Sequence, residues 1–198
     1  MKKIIILIPV YNDWQSVTKL LEKIDLEIMG WEAEVKVMIM NDASTDERSK
    51  SKFICKNIKS IWVKNMKKNV GHSRCVATGL KFINEKIIDY DYVMLMDGDG
   101  EDRPEELSLL FSKSKENSLK TVTGNRIKRT EGLFFRFLYE CHKLITYIFT
   151  GKHIKFGNFS IVPQEHIIRL LQEGSIWSSF SGSLVKVIKE KYERVSIP

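Results

Sequence analysis

The chain has little cysteine and no long apolar run. Its three cysteines, Cys55, Cys75 and Cys141, are widely spaced and form no C-x-x-C pair. An odd number of scattered cysteines argues against a disulfide framework or a zinc site and favours reduced thiols in a cytosolic setting. No apolar stretch reaches the roughly 18 residues of a membrane span. The run after Met1 is short, meets Pro9 and lacks a small-residue cleavage site, so we interpret it as a buried strand.

Several catalytic signatures are also missing. The four histidines show no H-E-x-x-H spacing, and Gly151-Lys152 has no G-x-x-x-x-G-K frame. No G-x-G-x-x-G follows the first predicted strand, and no G-x-S-x-G occurs. These absences argue against a zinc peptidase, a P-loop protein, a dinucleotide-binding fold and a serine hydrolase. A calcium loop starting at Asp97 would have Asp102 at its glycine position and Ser108 at its glutamate position, so an EF-hand is excluded.

The charge balance is positive. The 198 residues include 32 Lys and Arg against 25 Asp and Glu, which gives a formal net charge of +7. This excess favours an anionic partner such as a nucleotide, a phospholipid surface or a nucleic acid, and the sign alone does not choose among them. The composition is otherwise that of an ordinary globular protein, and the length is that of one domain.

Apolar runs alternate with segments of helical spacing along most of the chain. The predicted strands are 3–9, 35–40, 58–63, 92–96, 119–123, 159–163 and 193–197. The predicted helices are 17–28, a short helix after 46, 76–87, 104–115, 133–149 and 165–172. This alternation predicts a single α/β domain with a mostly parallel sheet flanked by helices. The broad apolar face of 133–149 is consistent with core packing or with a lipid-facing helix.

Polar clusters follow the first, second and fourth predicted strands, at 9–13, 41–42 and 97–101. In mostly parallel sheets, ligands bind outside the carboxyl ends of the strands. We therefore expect the three clusters to meet at one edge of the sheet and to form one site.

The cluster after the fourth strand is acidic. Asp97 and Asp99 are two residues apart, and Gly98 and Gly100 allow the backbone to turn if the strand ends there. Carboxylates this close repel each other unless a cation or a shared proton neutralises them, and oxygen ligands favour Mg²⁺ or Mn²⁺. Because Mg²⁺ takes one or two carboxylates plus substrate phosphates, a diphosphate is the expected third partner.

A purely structural interpretation of this cluster stays open. Asp102 and Glu105 have the spacing of a capping box, and Pro104 is tolerated in the first turn of a helix. The acidic residues would then form a solvated turn that caps the helix predicted at 104–115.

Four motifs in this order resemble those of the family 2 glycosyltransferases, inverting enzymes of the GT-A fold that use nucleotide sugars. They are I-P-V-Y-N-D at 8–13, N-D-A-S-T-D at 41–46, N-V-G-H-S-R at 69–74 and D-G-D at 97–99. The second is similar to the family's D-D-G-S-T-D turn, and the last stands where the family has D-x-D. The resemblance covers nearly the whole chain and implies a GT-A fold.

The resemblance also implies a donor pocket, a metal site and a phosphate contact. The residues that would bind the nucleotide sugar are Pro9, Tyr11, Asp13, Asp42, Gly71 and Asp97. The residues that would act in catalysis are Asp97, Asp99, Glu101 and Arg126, of which Asp99 and Glu101 would hold Mg²⁺ or Mn²⁺. Arg129 is a weaker candidate for the phosphate contact. Asp13 acting only as a helix N-cap and Arg126 acting only as a surface arginine are the alternatives.

The chain departs from the family pattern at three places. Asn41 replaces the first aspartate of the turn motif, which removes a negative charge near the expected base pocket. The loop 157–160 resembles the acceptor-side loop of the lipid-phosphate branch, but no carboxylate lies between Lys152 and Gln164 to act as a base. The chain ends at Pro198, where similar proteins continue, so we interpret it as C-terminally shortened.

These features together predict a metal-dependent glycosyltransferase. We expect 1–115 to form the nucleotide-sugar-binding half and 116–198 the acceptor-side half of one GT-A domain. The predicted donor is a nucleoside diphosphate sugar, with UDP favoured, and the predicted acceptor is a lipid phosphate or a glycan in bacterial-type surface polysaccharide or glycolipid synthesis. The expected location is the cytoplasmic face of the membrane, as a peripheral protein with no nucleic-acid partner.

Two alternatives come from other functional classes. A haloacid-dehalogenase-like phosphohydrolase also carries D-x-D after a strand, although there the motif follows the first strand and here it follows the fourth. A non-catalytic nucleotide-sugar-binding protein would keep the donor pocket and lack an acceptor site.

Overall fold

The computed structural model describes residues 1–46, 53–126, 157–188 and 192–197. The strands are β1 Lys2–Val10, β2 Ala33–Asn41, β3 Ser60–Asn65, β4 Tyr92–Leu95, β5 Thr121–Arg126, β6 Ser160–Pro163 and β7 Tyr192–Ile197. The α-helices are α1 Trp14–Glu27, α2 His72–Lys86, α3 Leu107–Glu116, α4 Gln164–Leu171 and α5 Phe180–Ile188. Two short 3₁₀ helices span Pro104–Glu106 and Gly174–Trp177.

The strands form one seven-stranded sheet in the order β3-β2-β1-β4-β6-β5-β7. Strands β1 to β4 pair in parallel, β5 pairs in parallel with β7, and β6 runs antiparallel to its neighbours β4 and β5. The prediction of a single α/β domain with a mostly parallel sheet is therefore confirmed. The direction of β6 matters for the site, because it brings the residues before Ser160 to the edge where β4 ends.

Strand β1 shows that the sheet is covered on both faces. Every residue from Ile4 to Val10 is buried, which is typical of a strand between two helical layers. Since side chains alternate along a strand, Ile4, Ile6 and Ile8 pack in a core with α1 and α3. Ile5 and Leu7 pack on the other face with α2, α4 and α5.

The structure differs from the sequence prediction at the start of α3. The predicted capping box does not form. Arg103 is the N-cap of the 3₁₀ helix Pro104–Glu106 that precedes α3, and one carboxylate oxygen of Asp102 accepts from the backbone N–H of Asp97 at 2.8 Å. Asp102 is buried and braces the acidic turn. The predicted helix 133–149 and most of the one expected after Asp46 lie outside the described residues. In the described part, no helix has the length and apolar character needed to cross a membrane.

A buried carboxylate attaches α1 to the segment that leads into β3. Asp25 is 8% exposed and accepts hydrogen bonds from the backbone N–H groups of Lys56, Asn57 and Ile58, at 3.0, 2.7 and 2.8 Å. Burial raises the pKa of Asp25, but the backbone donors outweigh burial and hold this pKa below its ordinary value. The ionised form is therefore favoured by folding.

This contact predicts a pH-dependent effect of Asp25→Asn. Because the folded-state pKa is lowered, the contribution of Asp25 to stability is present above the unfolded-state pKa of about 3.9 and is lost as pH falls through the folded-state value. We expect Asp25→Asn to lower the free energy of unfolding by about 1–3 kcal/mol at pH 7, and this difference to shrink below about pH 4. Urea unfolding at several pH values measures it.

Asp89→Asn is the control, because Asp89 is exposed and ion-paired only with Lys3 among its described contacts. Exposed ion pairs contribute little to stability. A difference for Asp25→Asn that stayed constant down to pH 2 would contradict the role of its ionised form.

Candidate functional site

The carboxyl ends of β1, β2 and β4 meet at one edge of the sheet. Val10 pairs in register with Asn41, and Leu7 with Leu95. Past the strand ends, the backbone N–H of Asp42 donates to the carbonyl oxygen of Val10 at 2.9 Å. The three polar clusters predicted to share one edge do so, and we call this region the carboxyl edge.

Asn12 joins the loop after β1 to the turn after β2. Its backbone N–H donates to Ser44 Oγ at 2.9 Å, and its Oδ1 accepts from the backbone N–H of Thr45 at 2.7 Å. Asn12 adopts a positive φ of 53°, a conformation that asparagine tolerates better than most residues. The two loops therefore form one connected surface.

The three nucleotide-binding candidates on the first loop have different environments. Pro9 is buried, whereas Tyr11 is 48% exposed and available to a ligand. The side chain of Asp13 accepts from the backbone N–H of Ser16 at 3.3 Å and is the N-cap of α1. The capping role of Asp13 is thus observed, and a contact with the nucleoside remains a prediction.

Asp42 connects the end of β2 to the start of α2. It is 3% exposed, and its two carboxylate oxygens accept from the backbone N–H groups of Val70 and Gly71, both at 2.9 Å. Gly71 is the N-cap residue of α2 and has a φ of 85°, which suits glycine. Each oxygen has a second lone pair that is available to accept from a base. The anchoring role of Asp42 is observed, and the contact with a base stays a prediction.

The acidic turn starts where β4 ends at Leu95. A Cβ atom on Gly98 would lie 2.9 Å from the carbonyl oxygen of Pro9 and 3.1 Å from Val17 Cγ2. Only glycine therefore lets the turn pack this closely on the end of β1. Asp99 is exposed, and its Oδ1 accepts from the backbone N–H of Glu101 at 2.9 Å.

Two residues that sequence reasoning did not assign lie next to Asp97. His72 Nε2 and Asn158 Nδ2 are each 3.5 Å from Asp97 Oδ1, and they are 2.7 Å from each other. His72 is the first residue of α2, and Asn158 precedes the antiparallel strand β6. Both stand in motifs that the sequence analysis quoted, but no spacing rule connects positions 72, 97 and 158.

The remaining candidates lie at the same edge or outside the described residues. Glu101 is exposed in the acidic turn. Arg126 is the last residue of β5, whose carboxyl end points to the carboxyl edge because β5 and β4 both run antiparallel to β6. The side chain of Arg126 and all of Arg129 lie outside what the structure describes, so their phosphate contacts stay predictions.

The acidic turn is suited to a metal that arrives with a ligand. Among the described residues, no group of three or more His, Cys, Asp or Glu side chains could enclose a metal ion. Asp99 has one carboxylate oxygen, Oδ2, without a partner in the described part of the chain. Mg²⁺ and its analogues typically use one or two carboxylates, waters and substrate phosphates. An open carboxylate of this kind fits such a shared site and does not fit an all-protein cage.

Comparison with known protein families identifies the family. A family model described as glycosyl transferase family 2 matches residues 5–171. The chain belongs to glycosyl transferase family 2. The family membership leaves the phosphohydrolase alternative without support.

Curated relatives of this family 2 protein include enzymes named for lipid phosphates. The dodecaprenyl-phosphate galacturonate synthase of Rhizobium johnstonii is 23% identical over 133 residues, which are 66% of this chain and 38% of the relative. The undecaprenyl-phosphate 4-deoxy-4-formamido-L-arabinose transferase of Proteus mirabilis is 28% identical over 136 residues, which are 68% and 40% of the two chains. The matched region thus spans less than half of these relatives.

Solved structures share the fold. Glucosyl-3-phosphoglycerate synthase from Mycobacterium tuberculosis, in complex with Mn²⁺, UDP-glucose and phosphoglyceric acid, has a TM-score of 0.66 at 12% identity. The match covers 98% of this chain and 70% of that one. Staphylococcus aureus TarS in complex with UDP-GlcNAc has a TM-score of 0.59 at 16% identity, with 100% and 57% coverage. These neighbours confirm the GT-A architecture.

The turn after β2 contains a strained alanine. Ala43 has a φ of 58°, at the position where the family's D-D-G-S-T-D turn has glycine. An L-residue with a side chain pays about 1–2 kcal/mol in this left-handed region, and glycine does not. We expect Ala43→Gly to raise the free energy of unfolding by up to about 1 kcal/mol, because relief of strain exceeds the added entropy of the unfolded glycine.

Urea unfolding of Ala43→Gly and Ala33→Gly tests this expectation. Ala33 is the first residue of β2, where the backbone is extended and glycine has no conformational advantage. Ala33→Gly should therefore lower the free energy of unfolding by roughly 0.5–1 kcal/mol. Losses of equal size in both variants would contradict the assignment of strain to Ala43.

Proposed function

We propose that this protein is an inverting glycosyltransferase that moves a sugar from a nucleoside diphosphate sugar, preferably a UDP-sugar, to a lipid phosphate. The proposal depends chiefly on one observation, the exposed Asp99 carboxylate in an acidic turn at the carboxyl edge of a family 2 domain. Ligands of open α/β sheets bind at this edge.

The donor end of the site is the loop surface around Tyr11, Asn12, Asp42 and Asp97. Its loops are tied together by hydrogen bonds before any ligand binds, which keeps the ordering cost of binding low. UDP-sugars are bound in two structural neighbours of the same fold. Both observations support a nucleotide sugar as the donor.

The departing diphosphate needs positive charge. Mg²⁺ or Mn²⁺, when bound, would neutralise charge on the leaving group, and such stabilisation is often the largest catalytic contribution. In this chain Asp99 would hold the ion with one carboxylate, and Glu101 is the second candidate. Arg126, at the end of β5, would contact a phosphate of the donor. Asp97, positioned by His72 and Asn158, would orient the sugar.

The acceptor end of the site favours a phosphate. A hydroxyl acceptor needs a general base, whereas a phosphate oxygen is already anionic and needs none. The acceptor-side loop has no carboxylate between Lys152 and Gln164. Two relatives are named for dodecaprenyl and undecaprenyl phosphates. The net charge of +7 would favour the anionic cytoplasmic surface of a membrane, where such acceptors present their phosphates.

Metal-linked nucleotide binding tests the donor site. We expect Mn²⁺ to raise the affinity of the protein for UDP at least about tenfold, because Asp99 would hold an ion that neutralises charge on the diphosphate. Asp99→Asn should bind UDP equally with and without Mn²⁺. Calorimetric titration with UDP, with and without the metal, measures both.

Asp89→Asn serves as the matched control for charge, since Asp89 lies before β4, at the opposite edge of the sheet. This variant should retain the full effect of Mn²⁺. Equal metal dependence in wild type and Asp99→Asn would contradict the proposed role of Asp99.

Sugar transfer tests the reaction itself. Radiolabelled UDP-, GDP- and dTDP-sugars are incubated with the protein, Mn²⁺ and either a polyprenyl phosphate or the corresponding free polyprenol. We expect an organic-soluble, acid-labile sugar product with the phosphate only, because the free alcohol has no anionic oxygen. Product with a glycan acceptor instead would favour the glycan alternative. Donor binding without any transfer would favour a nucleotide-sugar-binding protein without catalytic activity.

A further inference from the structure

A cavity of about 570 Å³ opens at the carboxyl edge, between the ends of β2 and β3 and the start of α1. Its size is within the range of small-molecule sites. The residues that line it are Trp14, Asn41, Ala43, Ser44, Asp46, Val63, Asn65 and Met66. Asp42, which the family resemblance assigns to the nucleoside, is next in sequence to Asn41.

Two asparagines in this cavity form a chain of hydrogen bonds with a fixed direction. The backbone N–H of Ser44 donates to Asn41 Oδ1 at 2.9 Å. A backbone N–H can only donate, so the oxygen of the Asn41 amide must face Ser44 and its nitrogen must face away. Asn41 Nδ2 then donates to Asn65 Oδ1 at 3.0 Å. The same reasoning turns the nitrogen of Asn65 outward.

The chain of amides therefore ends in N–H donors. Within the described part of the chain, neither N–H of Asn65 Nδ2 has an acceptor, and one N–H of Asn41 is also left over. The indole Nε1–H of Trp14 is buried and likewise has no acceptor among the described residues. Asp46, whose side chain is a carboxylate acceptor, is an exposed member of the cavity lining.

Donors without acceptors favour a ligand group that only accepts. A keto oxygen has two lone pairs and suits closely spaced N–H groups, whereas an exocyclic amino group would turn its own N–H groups toward them. If the wrong base covers these N–H donors and leaves them without acceptors, the site can discriminate strongly, by more than the small difference that a methyl group provides.

We propose that Asn41 and Asn65 select the base of the donor, favouring a keto base such as uracil or guanine over an amino base such as cytosine or adenine. This inference rests on the proposed function, because it takes the cavity to hold the base of a nucleotide sugar. It also gives a reason for Asn41, which stands where the turn motif of the family has its first aspartate. An aspartate there would reverse the direction of the hydrogen-bond chain, whereas the asparagine keeps its donors toward the ligand.

Substitution of Asn41 by aspartate is the decisive experiment. In Asn41→Asp, one carboxylate oxygen accepts from Ser44 and the other faces Asn65, whose amide must turn its nitrogen inward and expose its oxygen. Affinities of the full chain for UDP, CDP, GDP and ADP are measured by calorimetry in the presence of Mn²⁺. Wild type should bind UDP at least tenfold more tightly than CDP, and GDP more tightly than ADP. The ratio of the CDP and UDP dissociation constants should fall at least tenfold in Asn41→Asp.

A second variant tests the inference independently, in case Asn41→Asp does not fold. Asn65→Asp changes an exposed residue at the end of an edge strand, keeps an acceptor for Asn41 Nδ2 and replaces the outward N–H donors by an oxygen. It should lower the same ratio. Asn117→Asp, at the exposed end of α3, adds the same charge far from the cavity and should leave the ratio unchanged.

The outcomes separate this inference from the proposed function. If nucleotides bind with Mn²⁺ but the CDP to UDP ratio is the same in wild type and both variants, base selection by the amides is wrong and the glycosyltransferase proposal is unaffected. If no nucleotide binds to the wild-type protein, the donor site and this inference both fail. A wild type that prefers CDP and ADP also overturns the inference.

Discussion

The site depends on a carboxylate that lies below its surface. Asp42 is buried, and a buried carboxylate without partners is strongly unfavourable. It therefore requires the N–H groups of Val70 and Gly71, which fixes the segment before α2 against the end of β2. Because His72 is the first residue of that helix, the same interaction determines where its imidazole meets Asp97. A substitution of Asp42 would thus change the position of His72 beside Asp97. The effect would reach the acidic turn although no hydrogen bond described above joins Asp42 to it.

The antiparallel strand β6 brings a second residue, Asn158, next to Asp97. A parallel strand next to β4 would have carried its preceding loop to the opposite edge of the sheet. In β6, Ser160 pairs with Leu95, so Asn158 reaches Asp97 from a position 61 residues later in the chain. The loop before β6 and the first residue of α2 therefore meet at Asp97. Under the proposed function, this geometry would suit a transfer in which two substrates approach one sugar carbon.

Much of the fold could be predicted because the buried strands are apolar along their whole length. The runs at 3–9 and 35–40 match β1 and β2 closely, and the polar residues after them identified the carboxyl edge. The direction of β6 could not be predicted, since an apolar run does not indicate whether a strand is parallel or antiparallel to its neighbours. The capping box was wrong because the carboxylate of Asp102 accepts from the backbone N–H of Asp97, within the same turn, instead of capping the helix that follows. The contacts among positions 72, 97 and 158 depend on chain folding over long separations, which spacing rules do not describe.

The glycine between the two aspartates also constrains motion. Gly98 is buried against the end of β1, and a side chain at this position would collide with the carbonyl oxygen of Pro9. Displacement of the turn toward the sheet would then press on the end of β1, whose residues from Ile4 to Val10 are all buried. The residue between Asp97 and Asp99 is accordingly packed against the protein interior, whereas the side chain of Asp99 is exposed to solvent.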